Sequence, residues 1–382
     1  MRFDPIVRPE MPELDTVRGV AVLLVVFYHG YFWMSGLSGF KSIAKLIVAA
    51  TMPGWLGVNL FFVLSGLLIT GILLDSKSKQ NYFRSFYVKR ALRILPAYYG
   101  ILLVLLIAGF KPQSFLVLSF FFLSNFAPLF GIVPSYSVLW SLAVEEHFYI
   151  LWPALVRGCS IRTLEKCAIG ITCAVPALRA GSFMLGVNGG VHGYTWCEAD
   201  GLAIGAWLAI NVRKPSFTRE RLRWVSASAL AIGLFAIVIG MRFGILTRQR
   251  LLGASLQESC FNFIFLGIIS ASLLLGTGRW KSLIRRPVLR FYGRISYGLY
   301  LIHLLIFGIY NRNIQTIWPA LPSPVGRLDV VTFRFVVCLA ISTAIAFLSR
   351  QYFEEPFLRM RHRFSGIDVN KIQSPVFEEP TT

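Results

Sequence analysis

Arg18 and His29 stand eleven residues apart in ELDTVRGVAVLLVVFYHG, a segment otherwise almost wholly apolar after its first turn. Eleven helical steps of about 100° fall within about 20° of whole turns, so both side chains face the same way, roughly 16 Å apart along the axis. A cation at the mouth of a span and an imidazole inside it can hold an anionic substrate and move a proton. The other reading is an arginine that marks the cytoplasmic edge and a histidine satisfied by a neighbouring helix. Asp15, three residues before Arg18, can pair with it.

Four further segments carry polar groups where lipid or protein interior is expected. In SVLWSLAVEEHFYILWP, Glu145 and Glu146 point about 100° apart. Glu145 shares a stripe with Ser141, Tyr149 and Trp152, whereas Glu146 lies with Leu142, Ile150 and Pro153, which makes Glu145 the inward carboxylate and a candidate acid, base or histidine partner. His147 is a partner for either or a packed aromatic. ISYGLYLIHLLIF aligns Ser296, Tyr300 and His303, either a site wall or interhelical glue. CEADGLAIGAW presents Glu198 and Asp200 as solvated interfacial carboxylates or as ligands. In GVNLFFVLSGLLITG, Asn59, Ser65 and Gly66 admit close approach of a helix backbone or a thin ligand.

The elements that position these residues follow from composition. Of 382 residues, 55% are hydrophobic and 15% charged, and the mean hydropathy is +0.64, which excludes a water-soluble globular enzyme. About 210 apolar residues suffice for about ten spans of roughly 20 and leave no separate soluble domain. Apolar stretches fall near 17–34, 55–74, 95–110, 114–130, 138–156, 167–185, 197–212, 224–243, 260–276, 295–311 and 330–349. The first lacks a clear small-residue cleavage site and reads as a retained span, not a signal peptide. The net charge of +20 is spread over segments between stretches, which argues against a nucleic-acid site and for cytoplasmic loops. Gathering basic segments 75–94, 157–166, 213–223, 276–294 and the C-terminal part on one side requires that one stretch not cross. The choice is 114–130, which carries Ser114, Ser119, Ser124, Asn125 and Pro128.

The expected fold is therefore an all-α, polytopic membrane helix bundle of about ten spans plus one re-entrant or interfacial segment, with both termini cytoplasmic. Residues 1–361 form one transmembrane domain and 362–382 a flexible tail. The six cysteines lie far apart without a CxxC pair and indicate neither a metal site nor a disulfide framework.

In order along the chain, LDTVRGVAVLLVVFYH, GVNLFFVLSGLLIT, SFYVKRALRILPAYY, LWSLAVEEHFYILWP, ADGLAIGAWLA, GRISYGLYLIH and EEPFLR resemble the membrane acyltransferase 3 family, over residues 13 to about 361. The resemblance implies an O-acyltransferase of the bacterial cytoplasmic membrane that passes an acyl group, usually acetyl, from cytoplasmic acyl-coenzyme A as co-substrate to a hydroxyl of a carbohydrate or lipid-linked glycan. It places the family's arginine–histidine pair on Arg18 and His29, its Phe-Phe-x-x-Ser-Gly turn on Phe61, Phe62, Ser65 and Gly66, and its Val-Glu signature on Glu145. The basic segment after the second span, with Lys77, Lys79, Arg84, Lys89, Arg90 and Arg93, suits the donor's phosphates. Leu67 stands where the family usually has Phe, a change at the expected acyl pocket, and Glu198 stands where arginine is common. Some relatives carry an added extracytoplasmic domain; without one, the chain is expected to deliver the group itself, as a homo-oligomer or through a partner.

The expected mechanism has the donor enter past Arg18, Lys89, Arg90 and Arg93, with Ser65 and Gly66 at its path. His29 acts as base or acyl carrier with Glu145 as its orienting partner, and Asp15, Tyr149, Asp200, Tyr300 and His303 line the tunnel or acceptor site. The rival reading is a proton-coupled transporter or flippase using the same Arg, His and Glu; it predicts matched broken helices in two halves, which the sequence does not show.

Overall fold

Long runs of Leu, Ile, Val, Phe and Ala, broken by polar turns, leave the backbone little choice but helix in an apolar surrounding. The computed structural model describes residues 6–360 apart from 9, 188–191, 277–280, 322, 325 and the side chains at 42 and 283. Among these residues there is no strand. The helices are α1 (Pro12–Phe27), α2 (Ser42–Ala50), α3 (Gly57–Asp75), α4 (Tyr82–Ile107), α5 (Gln113–Phe120), α6 (Leu139–Gly158) and α7 (Ile161–Met184). They continue as α8 (Thr195–Asn211), α9 (Arg219–Met241), α10 (Leu251–Leu275), α11 (Lys281–Ile284), α12 (Pro287–Ile317), α13 (Leu328–Leu348) and α14 (Glu355–Met360). The expected tail at 362–382 lies outside the described residues.

Among the described residues, eight helical segments are long and apolar enough to cross a membrane: Pro12–Trp33, Ile43–Asp75, Tyr82–Ile107, Ile161–Met184, Arg219–Met241, Leu251–Leu275, Pro287–Ile317 and Leu328–Met360. The protein is a multi-pass membrane protein. Helix α6 bears Glu145, Glu146 and Arg157, and α8 has only 17 residues, nearly all buried. Protein covers most of α8, whereas α6 buries one face and exposes Ile150, Leu151 and Leu155 on the other.

Three boundaries differ from the sequence expectation. The basic segment 75–94 is helical from Tyr82 onward, because no Gly or Pro interrupts residues 82–95 and Pro96 is accommodated inside α4. Stretch 114–130 is split into α5 and a 3-10 turn at Ser124–Phe130, with Phe122 at φ 58° between them. An eight-residue helix rises only about 12 Å, far short of a bilayer. Helix α10 begins at Leu251, nine residues before the expected 260, which carries Glu258 into the bundle.

Two close crossings hold the site's helices together. A Cβ on Gly19 of α1 would lie 1.9 Å from the Leu289 carbonyl oxygen of α12, and one on Gly293 of α12 would lie 1.9 Å from the Asp15 carbonyl oxygen of α1. Helices α3 and α8 meet likewise, Gly66 against the Leu202 carbonyl (2.0 Å) and Gly205 against that of Val63 (1.9 Å). Small residues let backbones touch, and van der Waals contact replaces the hydrophobic drive that lipid cannot supply.

Candidate functional site

The crossing of α1 on α12 sets two cavities end to end. The first, about 310 Å³, is lined by Arg18, Ser65, Arg90, Arg93 and Glu145 among apolar side chains of α3 and α4. The second, about 280 Å³, is lined by His29, Trp55, Trp140, His192, Glu198 and Glu258, with further aromatic wall from Tyr28 and Trp33. Among the described residues, only Val58 and Tyr300 line both. Arg18 on α1 and His29 in the turn that follows it thus line different cavities.

In the arginine cavity, Ser65 Oγ donates to Glu145 Oε1 at 2.6 Å. Arg90 stacks its guanidinium 3.8 Å from the centre of the Tyr149 ring, a cation–π contact in a dry setting. Arg18 feels the charges of Asp15, Arg90 and Glu145. Three arginines against one lining carboxylate leave the cavity electropositive, which suits an anionic ligand.

In the histidine cavity, His29 sits in a π-helical turn, Tyr28–Trp33, that continues α1. Wide turns of this kind recur where a helix must present a functional side chain. Arg334, buried on α13, donates to the Gly30 carbonyl at 2.7 Å and to Ser35 Oγ at 2.8 Å and so pins the turn. The ring orientation follows from its neighbours. His303 Nδ1 lies 3.1 Å from the Leu299 carbonyl and His29 Nδ1 lies 2.9 Å from the Val25 carbonyl. A carbonyl only accepts, so in the neutral rings both Nδ1 atoms carry the proton. His303 Nε2, 3.2 Å from His29 Nδ1, is then an acceptor. His29 Nε2 is left as the lone-pair nitrogen in a ring that lines the cavity, the atom a base or nucleophile needs.

Several expected site residues stand elsewhere. Glu145 does not orient His29: it bonds Ser65 in the other cavity, and His29's side-chain partner is His303. Gly66 and Leu67 line neither cavity, since Gly66 packs on the α8 backbone and Leu67 is buried beside Gly205 in the same crossing. Lys89 is half-buried on α4 without lining the cavity, and Tyr149 lies beneath Arg90. Asp15 is at the first turn of α1, its backbone against Gly293.

Asp200 also lines neither cavity. It accepts from Arg179 Nη2 and from Ser259 Oγ, each at 2.6 Å, in a wholly buried cluster between α7, α8 and α10. Glu198 is 2% exposed, a buried wall residue and not a solvated interfacial carboxylate. The remaining expected residues, Ser65, Arg18, Arg90, Arg93, Tyr300 and His303, are in or directly behind the cavities.

The sequence reading missed His192, Arg248 and Glu258. With Glu198, His192 and Glu258 bring candidate metal-ligand atoms within 4.8 Å of one another. Glu258, however, is met by His192, by Arg179 at 3.4 Å and by Arg248 at 3.3 Å, so side chains already supply positive charge there. Arg248 also lies 3.9 Å over the Trp55 ring. Glu258 was open to the rule that flags ionisable groups in apolar helices; the polar run before it hid where the helix begins.

The acyltransferase-domain family matches residues 11–348. Peptidoglycan O-acetyltransferase OatA of Listeria monocytogenes is 33% identical over 169 residues, covering 39% of this chain and 24% of that protein. YrhL of Bacillus subtilis, provisionally named a peptidoglycan O-acetyltransferase, is 30% identical, covering 91% of this chain and 54% of its own length. A Staphylococcus aureus protein, provisionally named an O-acetyltransferase, is 26% identical with coverages of 91% and 57%. The chain thus spans little more than half the length of the latter two, and less of the first. No solved structure matches.

Proposed function

The chain belongs to the acyltransferase-domain family, and from that premise we propose that it is a membrane O-acyltransferase moving acetyl from acyl-coenzyme A to a hydroxyl of a cell-envelope glycan. The observation that carries this reading is the pair of adjoining cavities, one rich in arginine and one holding a histidine base, with only Val58 and Tyr300 in common among the described residues. The donor's phosphates sit on Arg18, Arg90 and Arg93, whose planar forks suit phosphate oxygens. Glu145, held by Ser65, balances part of that charge. The donor's arm spans the roughly 16 Å of α1 from Arg18 to His29.

At His29 the acceptor hydroxyl gives its proton to Nε2 as its oxygen attacks the thioester carbonyl. Collapse of the adduct breaks the carbon–sulfur bond, and the proton passes from Nε2 to the leaving sulfur, giving free coenzyme A and an ester. The transient imidazolium keeps its Nδ1–H directed at Val25 and His303. The aromatic walls and the few carboxylates of the second cavity suit a sugar, apolar on its faces and polar at its hydroxyls. The names of the Listeria and Bacillus relatives favour a peptidoglycan-type acceptor.

In this arrangement ten helices cross, the eight long apolar segments plus α6 and α8, while residues 113–130 dip and return. The basic segments and both termini then face the cytoplasm of a bacterial inner membrane, and the arginine cavity opens toward them.

The test is acetyl-CoA binding and transfer in lipid nanodiscs, with Arg90→Ala against an exposed control, Lys41→Ala. Loss of one charge-assisted phosphate contact weakens donor affinity by roughly ten- to a hundredfold. An unchanged affinity in Arg90→Ala, or a wild type that neither binds nor cleaves any acyl-CoA, overturns the donor assignment.

A further inference from the structure

Two cavities that share a wall need something in that wall to let a group pass and to stop everything else. Here the wall is small. Of the described residues lining the arginine and histidine cavities, Val58 on α3 and Tyr300 on α12 are the two that face both. Both are nearly buried, Val58 at 9% and Tyr300 at 7%. The Tyr300 ring is held on three sides. Its edge meets Phe61 (centroids 6.3 Å, 69° between planes), and its other neighbour is the His303 ring at 5.9 Å. Its hydroxyl lies 2.5 Å from Ser141 Oγ. Ser141 spends its own proton on the Val138 carbonyl at 3.1 Å, so Tyr300 is the donor in that pair.

We infer that Tyr300, latched to Ser141 and set against Val58, is the partition between the two cavities and sets the length of acyl group that can reach His29. The size-selectivity part of this inference rests on the acyltransfer reading; the partition itself does not. An acetyl group ends beside the ring, where the thioester carbonyl meets His29 Nε2, whereas each added methylene must displace the ring from between Phe61 and His303. A single methylene at such a wall is worth roughly 10- to 200-fold in discrimination. The same ring closes the bundle to water between the two faces, which a membrane enzyme with an opening on each side requires. The Tyr300–Ser141 bond gives the partition one preferred position and a way to swing: breaking one hydrogen bond frees the ring without disturbing α12, which Tyr136 braces separately by donating to the Leu301 carbonyl at 2.5 Å and accepting from Leu305 N at 3.2 Å.

Two measurements on the full chain test this, chosen to fail separately. In nanodiscs, the ratio of butyryl-CoA to acetyl-CoA turnover is compared for wild type, Tyr300→Ala and the milder Val58→Ala. The ratio is expected to rise at least about tenfold in Tyr300→Ala and by less in Val58→Ala. An unchanged ratio in both, with acetyl turnover still measurable, overturns the selectivity role. In sealed proteoliposomes, the six native cysteines are replaced, Ser65→Cys is introduced into the arginine cavity, and a charged, membrane-impermeant thiosulfonate is applied to one face at a time. With Tyr300 present the thiol reacts from one face only; with Tyr300→Ala it reacts from both. Labelling from both faces with Tyr300 in place, or from one face after its removal in a variant that elutes as the wild type does, overturns the partition. This second result stands even if no acyl-CoA is ever turned over, in which case it is the acyltransfer reading that fails.

Discussion

His29→Ala is expected to lower acetyl transfer by about 10²- to 10⁴-fold, the usual worth of a positioned general base, while acetyl-CoA affinity stays near that of the wild type. The split follows from the geometry. The arginines proposed for the donor line one cavity, and His29 lines the other. His303→Leu is expected to act in the same direction but less, because it removes the acceptor that orients His29 Nδ1–H while the Val25 carbonyl still holds that proton. Single-turnover transfer and equilibrium donor binding, measured on the same preparation, check both. A His29→Ala enzyme that transfers at the wild-type rate would remove the imidazole from the mechanism.

The largest effect on stability is expected at Arg179, behind the wall of the histidine cavity. Its guanidinium is fully buried and meets Asp200 at 2.6 Å, Glu258 at 3.4 Å, the Cys197 carbonyl at 2.6 Å and Ser259 Oγ at 2.9 Å. Arg179→Leu leaves buried Asp200 without its cation and takes one of two guanidinium partners from Glu258, a change that costs about 3–5 kcal/mol. Removing the Asp200 carboxylate as well, in Arg179→Leu with Asp200→Leu, should recover part of the loss, because replacing a buried pair by apolar groups is far less costly than breaking it. Thermal unfolding in detergent reads both variants. If Arg179→Leu melts with the wild type, or the double variant is the less stable of the two, the cluster does not tie α7, α8 and α10 together as described.

Much of the site was open to reading from residue spacing, and the exceptions have a common physical origin. Helical periodicity reports which side chains share a face, so Ser296, Tyr300 and His303 fall together on α12, Ser296 and Tyr300 at the arginine cavity and His303 against the Tyr300 ring, whereas His29 lies beyond the end of α1 in a π-helical turn. Periodicity says nothing about which helix lies opposite or at what height. Glu145 is on the inward face, as its stripe indicates, but the residue at its height is Ser65 and not His29. Gly66 and Asp200 show the same limit from the other side. A small residue and a buried acid look alike whether they meet a ligand or another helix, and here both meet helices.

The misread helix starts, at Tyr82 and Leu251, share a different cause. Lys and Arg over 84–93, and Ser, Gln and Glu over 255–259, lower local hydropathy in segments that nonetheless stay helical. Hydropathy alone therefore reads 75–94 as a loop and leaves Glu258 outside a helix. His192 lies in a turn before α8, where no period operates, and only the tertiary fold brings it to Glu258.

The central claim is that donor and acceptor reach His29 from opposite faces. The most direct measurement uses sealed proteoliposomes with radiolabelled acetyl-CoA on one face and chitotetraose, as a glycan probe, on the other. The account predicts labelled ester on the glycan in the compartment that never held the donor, for one insertion orientation and not its reverse, and none with His29→Ala. Labelled glycan appearing only when donor and probe share a compartment would contradict it.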